Sequence, residues 1–448
     1  MSRRVIISGL GPVTGLGLGI EANWQALSQG HSAIAPITAF DPSGFDCRLA
    51  AEVKDFKIGN FVPKTYRKAT KVMARDIELA VAAADLAARD AKLVTKGTAP
   101  PPPESGDGVP LSYPSGRVGA NIGASLIACE LDELTSALAE ARKEDGSFDI
   151  HKWGEHGMQQ LTPLWLLKYL PNMLACHVTI IHDAQGPSNT ITCAEASSGL
   201  SLGEAMRVIQ RGAADVSFCG GAESKINPMA FLRQQMLGRL STASNDLPAA
   251  AVRPFDQEAA GMVLGEAGGI VILEALDTFT ARAAASGARA YAEVVGFGAS
   301  QTCHPATRNL TPDPQGRAIR LAIQAALREA GVGPEAIDLI LPFGSGQPAY
   351  DQAEAQALKT IFGGRLAQVP VVSTKPMWGN CGAASGALDV CAGAQALVTQ
   401  TVPPCLNRSR PLEGLGAGGP ARPARLAHVL TYATSLGGQN AAVVLKKV

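Results

Sequence analysis

ITCAEASSGLSLGEA, at residues 191–205, is the stretch that decides the fold. It continues the β-branched run Asn189-Thr-Ile-Thr, which predicts a strand, and it leads into residues 196–211, whose spacing predicts a helix. A strand, a small-residue turn and a helix in succession indicate an α/β fold, and such folds bind ligands at these turns. Two further stretches have this glycine-rich form, LPFGSGQPAYDQAEAQ at 341–356 and STKPMWGNCGAASG at 373–386.

Similar patterns open the two parts of the chain. Val5-Ile-Ile7 predicts a strand that ends at the glycine turn Gly9-Leu-Gly11-Pro12, and residues 291–298 repeat this form. We therefore expect two similar halves, residues 1–275 and 276–448. The other predicted elements are helices at 21–27, 73–91, 131–142, 316–330 and 352–361, and strands at 117–123, 216–219, 339–341 and 441–445.

Three segments interrupt this pattern. Residues 95–116 contain four consecutive prolines, Pro100 to Pro103, and predict an exposed loop inserted in the first half. Residues of about 128–170 are charged and partly helical, and we interpret them as a second insertion. A loop rich in glycine and proline at 408–424 interrupts the second half.

Composition excludes several classes of function. Lysine plus arginine equals aspartate plus glutamate, at 39 each, so no overall charge attracts nucleic acid or an anionic membrane, although a local basic patch stays open. No apolar run approaches the ~20 residues of a membrane span.

The nine cysteines show no paired metal-ligand spacing, which predicts no metal site and reduced thiols in a cytoplasmic protein. Gly9, Gly11 and Gly15 lack the full dinucleotide-binding spacing, so a structural turn is the better interpretation.

Four more stretches identify a family. They are RRVIISGLGPVTGLG from Arg3, GGAESKINPMAF from Gly220, LSTASNDLPAAAVRPFDQEAAGMVLGEAGGIVILE from Leu240 and TSLGGQN from Thr434. Together with the three glycine-rich stretches, in this order, they resemble the elongating β-ketoacyl-acyl carrier protein synthases. The resemblance implies the α/β thiolase-like fold, with two βαβαβαββ-type halves in a five-layer αβαβα core. It also implies a dimer that binds acyl chains on the phosphopantetheine arm of an acyl carrier protein, with no other cofactor.

The resemblance places a glutamate at the family's nucleophile position. Counting back from Gly203-Glu-Ala205, which matches the family's nucleophile helix, the catalytic cysteine falls on Glu195, and Cys193 lies two residues too early. A helix N-terminus lowers the pKa of a thiol and supports a thiolate nucleophile. A carboxylate is also stable there, but it cannot carry an acyl group as a thioester.

Both catalytic histidines of the family are replaced as well. Phe343 occupies the first histidine position and Asn380 the second. An asparagine side chain still donates hydrogen bonds, whereas phenylalanine neither donates nor titrates. The seven histidines of the chain lie outside the motifs and we interpret them as surface or core residues: His31, His151, His156, His177, His182, His304 and His428.

The remaining candidate site residues follow from the same resemblance. Lys375 is retained at the site, and Asp351 and Glu354 match framework acids that tie the catalytic loops together in a Lys-Glu network. The substrate-binding candidates are Ser345 and Gln347, at the positions of the threonines that grip pantetheine, and Leu436, Gly437 and Gly438, at the gate of the acyl pocket.

These losses predict a protein of fatty acid or polyketide biosynthesis that does not condense, since loss of a nucleophile or base typically costs about a millionfold in rate. Our leading hypothesis is a subunit like a chain-length factor, or an acyl-binding scaffold, that pairs with an active ketosynthase. A second hypothesis is an enzyme acting on acyl or malonyl thioesters, as a decarboxylase or acyltransferase, through Glu195 with a raised pKa and Asn380 at an open tunnel. A third is a stand-alone homodimer that binds acyl groups. The sequence does not identify the acyl chain, the pathway or the partner.

Overall fold

A computed structural model of the chain describes residues 3–100, 109–302 and 310–448. Pro101 to Pro103 of the predicted loop, together with Cys303 and His304, lie outside the described residues. Across the described ranges, no helix combines the length and the apolar character that a membrane crossing needs.

Strands and helices alternate along most of the chain. The helices are α1 Ile20–Ser28, α2 Arg75–Asp90, α3 Leu131–Glu140, α4 Ile150–Glu155, α5 Met173–His182, α6 Ser197–Gln210, α7 Pro228–Met236, α8 Leu276–Ser286, α9 Arg317–Ala330, α10 Pro348–Phe362, α11 Lys375–Trp378 and α12 Ser385–Thr399. The strands are β1 Val5–Thr14, β2 Gly17–Leu18, β3 Ile34–Pro36, β4 Leu49–Ala51, β5 Val118–Ala124, β6 Ser188–Thr192, β7 Val216–Glu223, β8 Leu264–Gly265, β9 Ala267–Ala275, β10 Ala292–Gln301, β11 Leu339–Leu341, β12 Thr401–Val402, β13 Arg422–Pro423, β14 His428–Thr434 and β15 Gln439–Lys446.

The main sheet repeats one strand order in its two parts. Its order is β11-β14-β15-β10-β1-β9-β7-β5-β6. In the first part β1 pairs antiparallel with β9, β9 antiparallel with β7, and β7 parallel with β5. In the second part β10 pairs antiparallel with β15, β15 antiparallel with β14, and β14 parallel with β11. This repeat supports the division into two similar halves, and we propose that they meet after Ala275.

The paired glycines are not turns that end the strands, as the sequence predicted. Gly9 and Gly11 lie within β1, and Gly296 and Gly298 lie within β10. A Cβ on any of the four would collide with a carbonyl oxygen of α2 or α9. Both strands also shift register just before the first glycine of the pair. Because these glycines have no Cβ, α2 and α9 can pack closely against the two parts of the sheet.

The helices form three layers around the two parts of the sheet. α2 and α5 pack on the first part, and α9 packs on the second, where it contacts α10. Between them, α6 contacts β5 and β7, α12 contacts β14 and β15, and the two helices contact each other. α12, which the sequence analysis did not predict, is buried over residues 385–397. This αβαβα arrangement is the predicted thiolase-like fold, and α6 at its centre carries the candidate site at its N-terminus.

The predicted insertion at about 128–170 holds α3, α4 and short 3-10 turns. Its exposed apolar side chains include Phe148, Ile150 and Leu164. The loop predicted at 408–424 contains only the short strand β13.

Candidate functional site

A sharp turn joins β6 to α6 and places Glu195 in the interior. Ala194 has a φ of 47°, in the left-handed region that a residue with a Cβ seldom adopts. Such strained conformations cluster at functional sites. The 3-10 turn Ala194–Ala196 then leads into α6. Cys193 lies one residue beyond β6, half-buried, where burial raises the pKa of its thiol. The geometry therefore presents Glu195, rather than Cys193, to the site.

Three loops from different parts of the chain meet at the Glu195 carboxylate. Oε1 accepts a hydrogen bond from Nη2 of Arg239 at 2.6 Å and one from Nδ2 of Asn380 at 3.2 Å. Oε2 accepts one from the backbone N–H of Leu436 at 3.3 Å. Glu195 is only 3% exposed. The carboxylate thus fills its site and occupies the amide and backbone donors that surround it.

The raised pKa that the second hypothesis required for Glu195 is not found. Burial raises the pKa, but the charges of Arg239 and Lys225 and the hydrogen bond from Arg239 outweigh burial and hold it at about 2. Both cations are contributed by segments that are distant from Glu195 in the sequence. At neutral pH the group is a paired carboxylate and a weak base.

Arg239 is the main site residue that the sequence analysis missed. It is 6% exposed, and besides the bond to Glu195 its Nε donates to Oε1 of Gln347 at 3.1 Å and its Nη1 to Oε1 of Gln234 at 3.0 Å. Arg239 directly precedes the LSTASND stretch. The available signal was physical: a buried carboxylate at position 195 requires a cation, because unpaired buried charges are costly.

A second ion pair, between a buried carboxylate and a half-buried lysine, lies near the first. Lys225 pairs with Glu223 at the end of β7, and Glu223 also accepts a hydrogen bond from the backbone N–H of Ala383 at 2.6 Å. Burial lowers the pKa of Lys225 to about 8. The negative charges of Glu195 and Glu223 are therefore compensated by the positive charges of Arg239 and Lys225.

Asn380 is held in place by both ends of its amide. Its Oδ1 accepts from the backbone N–H of Gly382 at 3.0 Å, and its Nδ2 contacts the sulfur of Met262 at 2.9 Å as well as Glu195. Its backbone bonds to Val263 and Gly265. The donor predicted for Asn380 is present, but it is already engaged by Glu195.

Phe343 and Lys375 lie close to each other and are both buried. Phe343 is fully buried and lies edge-on to Tyr350, with ring centroids 6.4 Å apart. Nζ of Lys375 lies 5.9 Å from the centroid of the Phe343 ring. The ammonium pairs with Oδ2 of Asp389 at 2.8 Å, so its direct partner is Asp389 and not Glu354, as the Lys-Glu network had predicted. Asp389 lies on α12, which the sequence analysis did not recognise.

Asp351 and Glu354 hold the loop before α10. Asp351 accepts from the backbone N–H groups of Phe255 at 2.7 Å and Gly346 at 3.2 Å, and Glu354 accepts from that of Gly344 at 3.1 Å. Burial raises the pKa of Asp351 to about 7, and burial with the charge of Asp351 raises that of Glu354 to about 8. These contacts fit the framework role that the sequence suggested.

The candidate substrate-binding residues are engaged with the protein. Nε2 of Gln347 donates to Oγ of Ser345 at 3.1 Å, and both side chains are buried. At the gate, Leu436, Gly437 and Gly438 are half-buried, and the N–H of Leu436 is bonded to Glu195. Ser345 and Gln347 are bonded to each other, and the N–H of Leu436 is bonded to Glu195. This closed arrangement counts against the open tunnel that the second hypothesis required.

Two histidines of the described residues, His177 and His182, are bonded to hydroxyls rather than to the groups around Glu195. His177 and His182 are buried, and their Nδ1 atoms bond to the hydroxyls of Tyr66 and Thr95, each at 2.8 Å. Burial lowers the pKa of both rings. The groups assembled around Glu195 can bind and orient, but they contain no activated nucleophile.

Comparison with known families matches both halves of the chain. Residues 2–278 match the N-terminal domain of beta-ketoacyl synthases, and residues 291–409 match their C-terminal domain. The chain is 32% identical to the 3-oxoacyl-[acyl-carrier-protein] synthase 2 of Synechocystis sp., over 99% of this chain and 98% of the relative. It is also 32% identical to the synthase of the same name from Coxiella burnetii, over 100% of this chain and 99% of the relative.

Solved structures agree with this match. The ishigamide ketosynthase/chain length factor is 27% identical, with a TM-score of 0.81 and coverage of 100% of both chains. A beta-ketoacyl synthase from Burkholderia phymatum is 28% identical, with a TM-score of 0.81 and coverage of 100% of both chains.

Proposed function

The chain belongs to the beta-ketoacyl synthase family, and from this premise we propose that it does not form carbon-carbon bonds. It serves instead as a chain-length-factor-like subunit, or as an acyl-binding scaffold, in fatty acid or polyketide biosynthesis. One observation carries this proposal: Glu195 occupies the nucleophile position as a buried carboxylate paired with Arg239. The likeness to a ketosynthase/chain length factor supports the same role.

The chemistry of condensation argues against an active site of the family type. The reaction needs a sulfur that accepts the acyl group and donors that stabilise the enolate formed when CO₂ leaves. Glu195 offers no thiol, and Phe343 has no hydrogen-bond donor. The amide of Asn380 has a donor, but it is bonded to Glu195. The low pKa of Glu195 likewise argues against acid-base catalysis, which works best with a pKa near the working pH.

An exposed sheet edge supports pairing with a second chain. β6 ends the main sheet, and its residues Ser188, Asn189 and Thr192 are exposed. An open edge strand presents backbone donors and acceptors that another strand can pair with. We propose a homodimer or a heterodimer with an active ketosynthase.

A local basic segment supports docking of an acyl carrier protein. The 3-10 segment Lys64–Val72 reads KTYRKATKV and contains no acid. Its four cations are exposed: Lys64, Arg67, Lys68 and Lys71. On a chain of zero net charge this segment is a confined positive surface, which favours an anionic partner.

Thiol chemistry supports a reducing compartment. Each cysteine that the structure describes is a free thiol, and four of them are buried. Disulfides form in secreted proteins and are rare in the cytosol. We therefore propose a cytoplasmic location.

The direct test is intact mass spectrometry with loaded carrier proteins. The purified chain is incubated with acyl- and malonyl-loaded carrier protein, beside an elongating ketosynthase with intact cysteine and histidines as a positive control. We expect no acyl mass on the chain and no release of CO₂. Acylation or decarboxylation by the wild-type chain would overturn the proposal.

A rescue series separates loss of chemistry from loss of binding. Glu195→Cys alone is expected to take up acyl mass but to release no CO₂ from malonyl-loaded carrier protein, because the sulfur is restored beside Arg239 while Phe343 and Asn380 still stand at the positions of the enolate-stabilising groups. The triple variant Glu195→Cys, Phe343→His, Asn380→His restores all three catalytic residue types of the family. Native mass spectrometry of the chain alone and with an active ketosynthase then distinguishes the two dimers, since a stable homodimer disfavours an obligate heterodimer.

Carrier-protein docking has its own test. Charge reversal in Arg67→Glu with Lys68→Glu is expected to weaken carrier-protein binding about tenfold or more and to reduce its dependence on salt. Lys143→Glu with Lys152→Glu, at two exposed lysines outside the basic segment, is the matched control because it changes the net charge by the same amount. Equal binding by both variants would exclude docking on the basic segment.

A further inference from the structure

A cleft lined by the segment 404–422 lies apart from the Glu195 site. It consists of two cavities, of about 160 Å³ and about 690 Å³. Both are lined by Cys405, Arg408, Gly419 and Pro420. None of the residues that bond to Glu195 lines either cavity.

Arg408 is a buried cation between these cavities. It is 5% exposed, and its Nε and Nη1 are buried without a hydrogen-bond partner among the described residues. Buried guanidinium groups are normally paired, because an unpaired charge loses the hydration it has in water. The guanidinium is therefore incomplete without a further acceptor.

Two carboxylates lie near Arg408, but their oxygens are taken by backbone groups. Asp256 accepts from the N–H of Arg410 at 2.6 Å and from that of Glu258 at 2.9 Å. Asp351 accepts from Phe255 and Gly346. Burial lowers the pKa of Arg408 below its ordinary value, and the charges of Asp256 and Asp351 offset only part of that effect. They compensate part of the charge and leave the N–H donors free.

The linings of both cavities favour an anion. They contain no aspartate or glutamate from the described ranges, whereas Arg253 lines the larger cavity and Arg422 the smaller. Arg253 is paired with Glu258, so Arg408 is the cation with free buried donors.

The backbone around Arg408 is fixed before any ligand binds. Asn407 has a φ of 58°, and its Nδ2 donates to the carbonyl oxygens of Ala249 and Val252 at 2.6 and 2.9 Å. The N–H of Gly418 donates to the carbonyl of Arg408 at 2.7 Å. A preorganised donor binds its ligand with less loss of conformational entropy.

We propose that Arg408 anchors a second binding site. Its ligand is a phosphate-type oxyanion that accepts hydrogen bonds from the free N–H groups of the guanidinium. The planar fork of an arginine matches phosphate oxygens and holds them through parallel hydrogen bonds. The ligand is either free phosphate or the phosphoryl group of a monoester.

Calorimetric titration with inorganic phosphate tests the site at constant ionic strength, with chloride as the balancing anion. The wild-type chain is expected to bind phosphate saturably, and Arg408→Met to bind it about tenfold or more weakly, the loss expected for a charge-assisted hydrogen bond. Arg328→Met, at an exposed arginine of α9, is the matched control and is expected to bind as the wild type does. Glycerol 3-phosphate is titrated in parallel, and tighter binding than phosphate identifies a monoester ligand.

Thermal denaturation separates a binding role from a structural one. In phosphate-free buffer Arg408→Met is expected to melt no lower than the wild type, because it removes an unpaired buried charge, and phosphate is expected to raise the melting temperature of the wild type only. Absence of saturable binding to the wild type would overturn the proposal, as would equal binding by Arg408→Met. A lower melting temperature of Arg408→Met without phosphate would instead assign Arg408 to a structural role beside Asp256 and Asp351. If Arg408→Met does not fold, Arg408→Lys, which keeps the charge and loses the fork, replaces it with the same expected loss.

Discussion

Replacement of Arg239 by methionine is expected to destabilise the fold strongly through Glu195. The ordinary pKa of a glutamate is 4.5, and Glu195 lies at about 2 in the folded chain. This difference corresponds to roughly 3 kcal/mol, at about 1.4 kcal/mol for each pKa unit. Removing one partner of a buried ion pair typically costs about 3–5 kcal/mol, because the other charge is left uncompensated. We therefore expect Arg239→Met to lower the free energy of unfolding by about 3–5 kcal/mol.

A double-mutant cycle measures the interaction itself. Urea denaturation at pH 7 gives the free energies of unfolding of the wild type, Glu195→Gln, Arg239→Met and the double variant, and the coupling energy is expected to be about 3 kcal/mol. Arg328→Met serves as the control for loss of an exposed arginine and is expected to change stability by less than about 0.5 kcal/mol. Additivity of the two single variants within about 0.5 kcal/mol would refute the ion pair as the reason for the low pKa.

The same pair predicts a dependence on acid. The folded pKa of Glu195 is lower than its unfolded pKa, so the stabilisation is present above pH 4.5 and is lost as the pH falls from 4.5 towards 2. Glu195→Gln is expected to remove this part of the acid sensitivity. An unchanged acid transition in Glu195→Gln would contradict the argument.

Three further predictions concern the rest of the fold. Burial raises the folded pKa of Glu354 to about 8, so its contribution to stability is present below pH 4.5 and is lost as the pH rises to 8. Glu354→Gln is therefore expected to flatten the decline in unfolding free energy between pH 5 and pH 9. An equal slope in the variant and the wild type would contradict this. Gly9→Ala is expected to cost about 1–3 kcal/mol in chemical denaturation because its Cβ meets the α2 backbone, whereas Gly59→Ala, with open space around it, serves as a control that costs less than about 0.5 kcal/mol. Phe343→Ala is expected to lower stability by about 3–5 kcal/mol, against less than about 0.5 kcal/mol for the exposed control Leu247→Ala, and similar melting temperatures of the two variants would refute a packing role for Phe343.

Much of the fold was predictable because its signals are local. The apolar spacing of residues 73–91 predicted α2 within two residues, and the β-branched run predicted the start of β1, although that strand continues to Thr14. The glycine pairs were seen but misinterpreted, because a glycine that makes room for a helix looks the same in sequence as a glycine that turns the chain. α12 was missed because it is buried on all sides, so its sequence has no amphipathic period.

The candidate site was predictable in its positions but not in its charges. The motif register located Glu195 and Asn380, which the fold brings into hydrogen-bond contact. The sequence did not reveal that Arg239, 44 residues away, donates to Glu195, because an ion pair between distant segments leaves no local pattern. The direction of the pKa shift of Glu195 depends on that contact, so the sequence alone did not exclude the raised pKa that the second hypothesis required.

The bond between Glu195 and the N–H of Leu436 means that the chain carries its own competitor for that donor. A tethered group acts at an effective concentration set by its geometry, commonly in the millimolar range or above, so a free ligand must displace it. The affinity measured for any such ligand is then its intrinsic affinity reduced by the fraction of molecules in which the carboxylate has moved away. A weak apparent affinity of the wild-type chain for an acyl group would accordingly report self-occupancy, and Glu195→Ala would reveal the affinity of the vacated space.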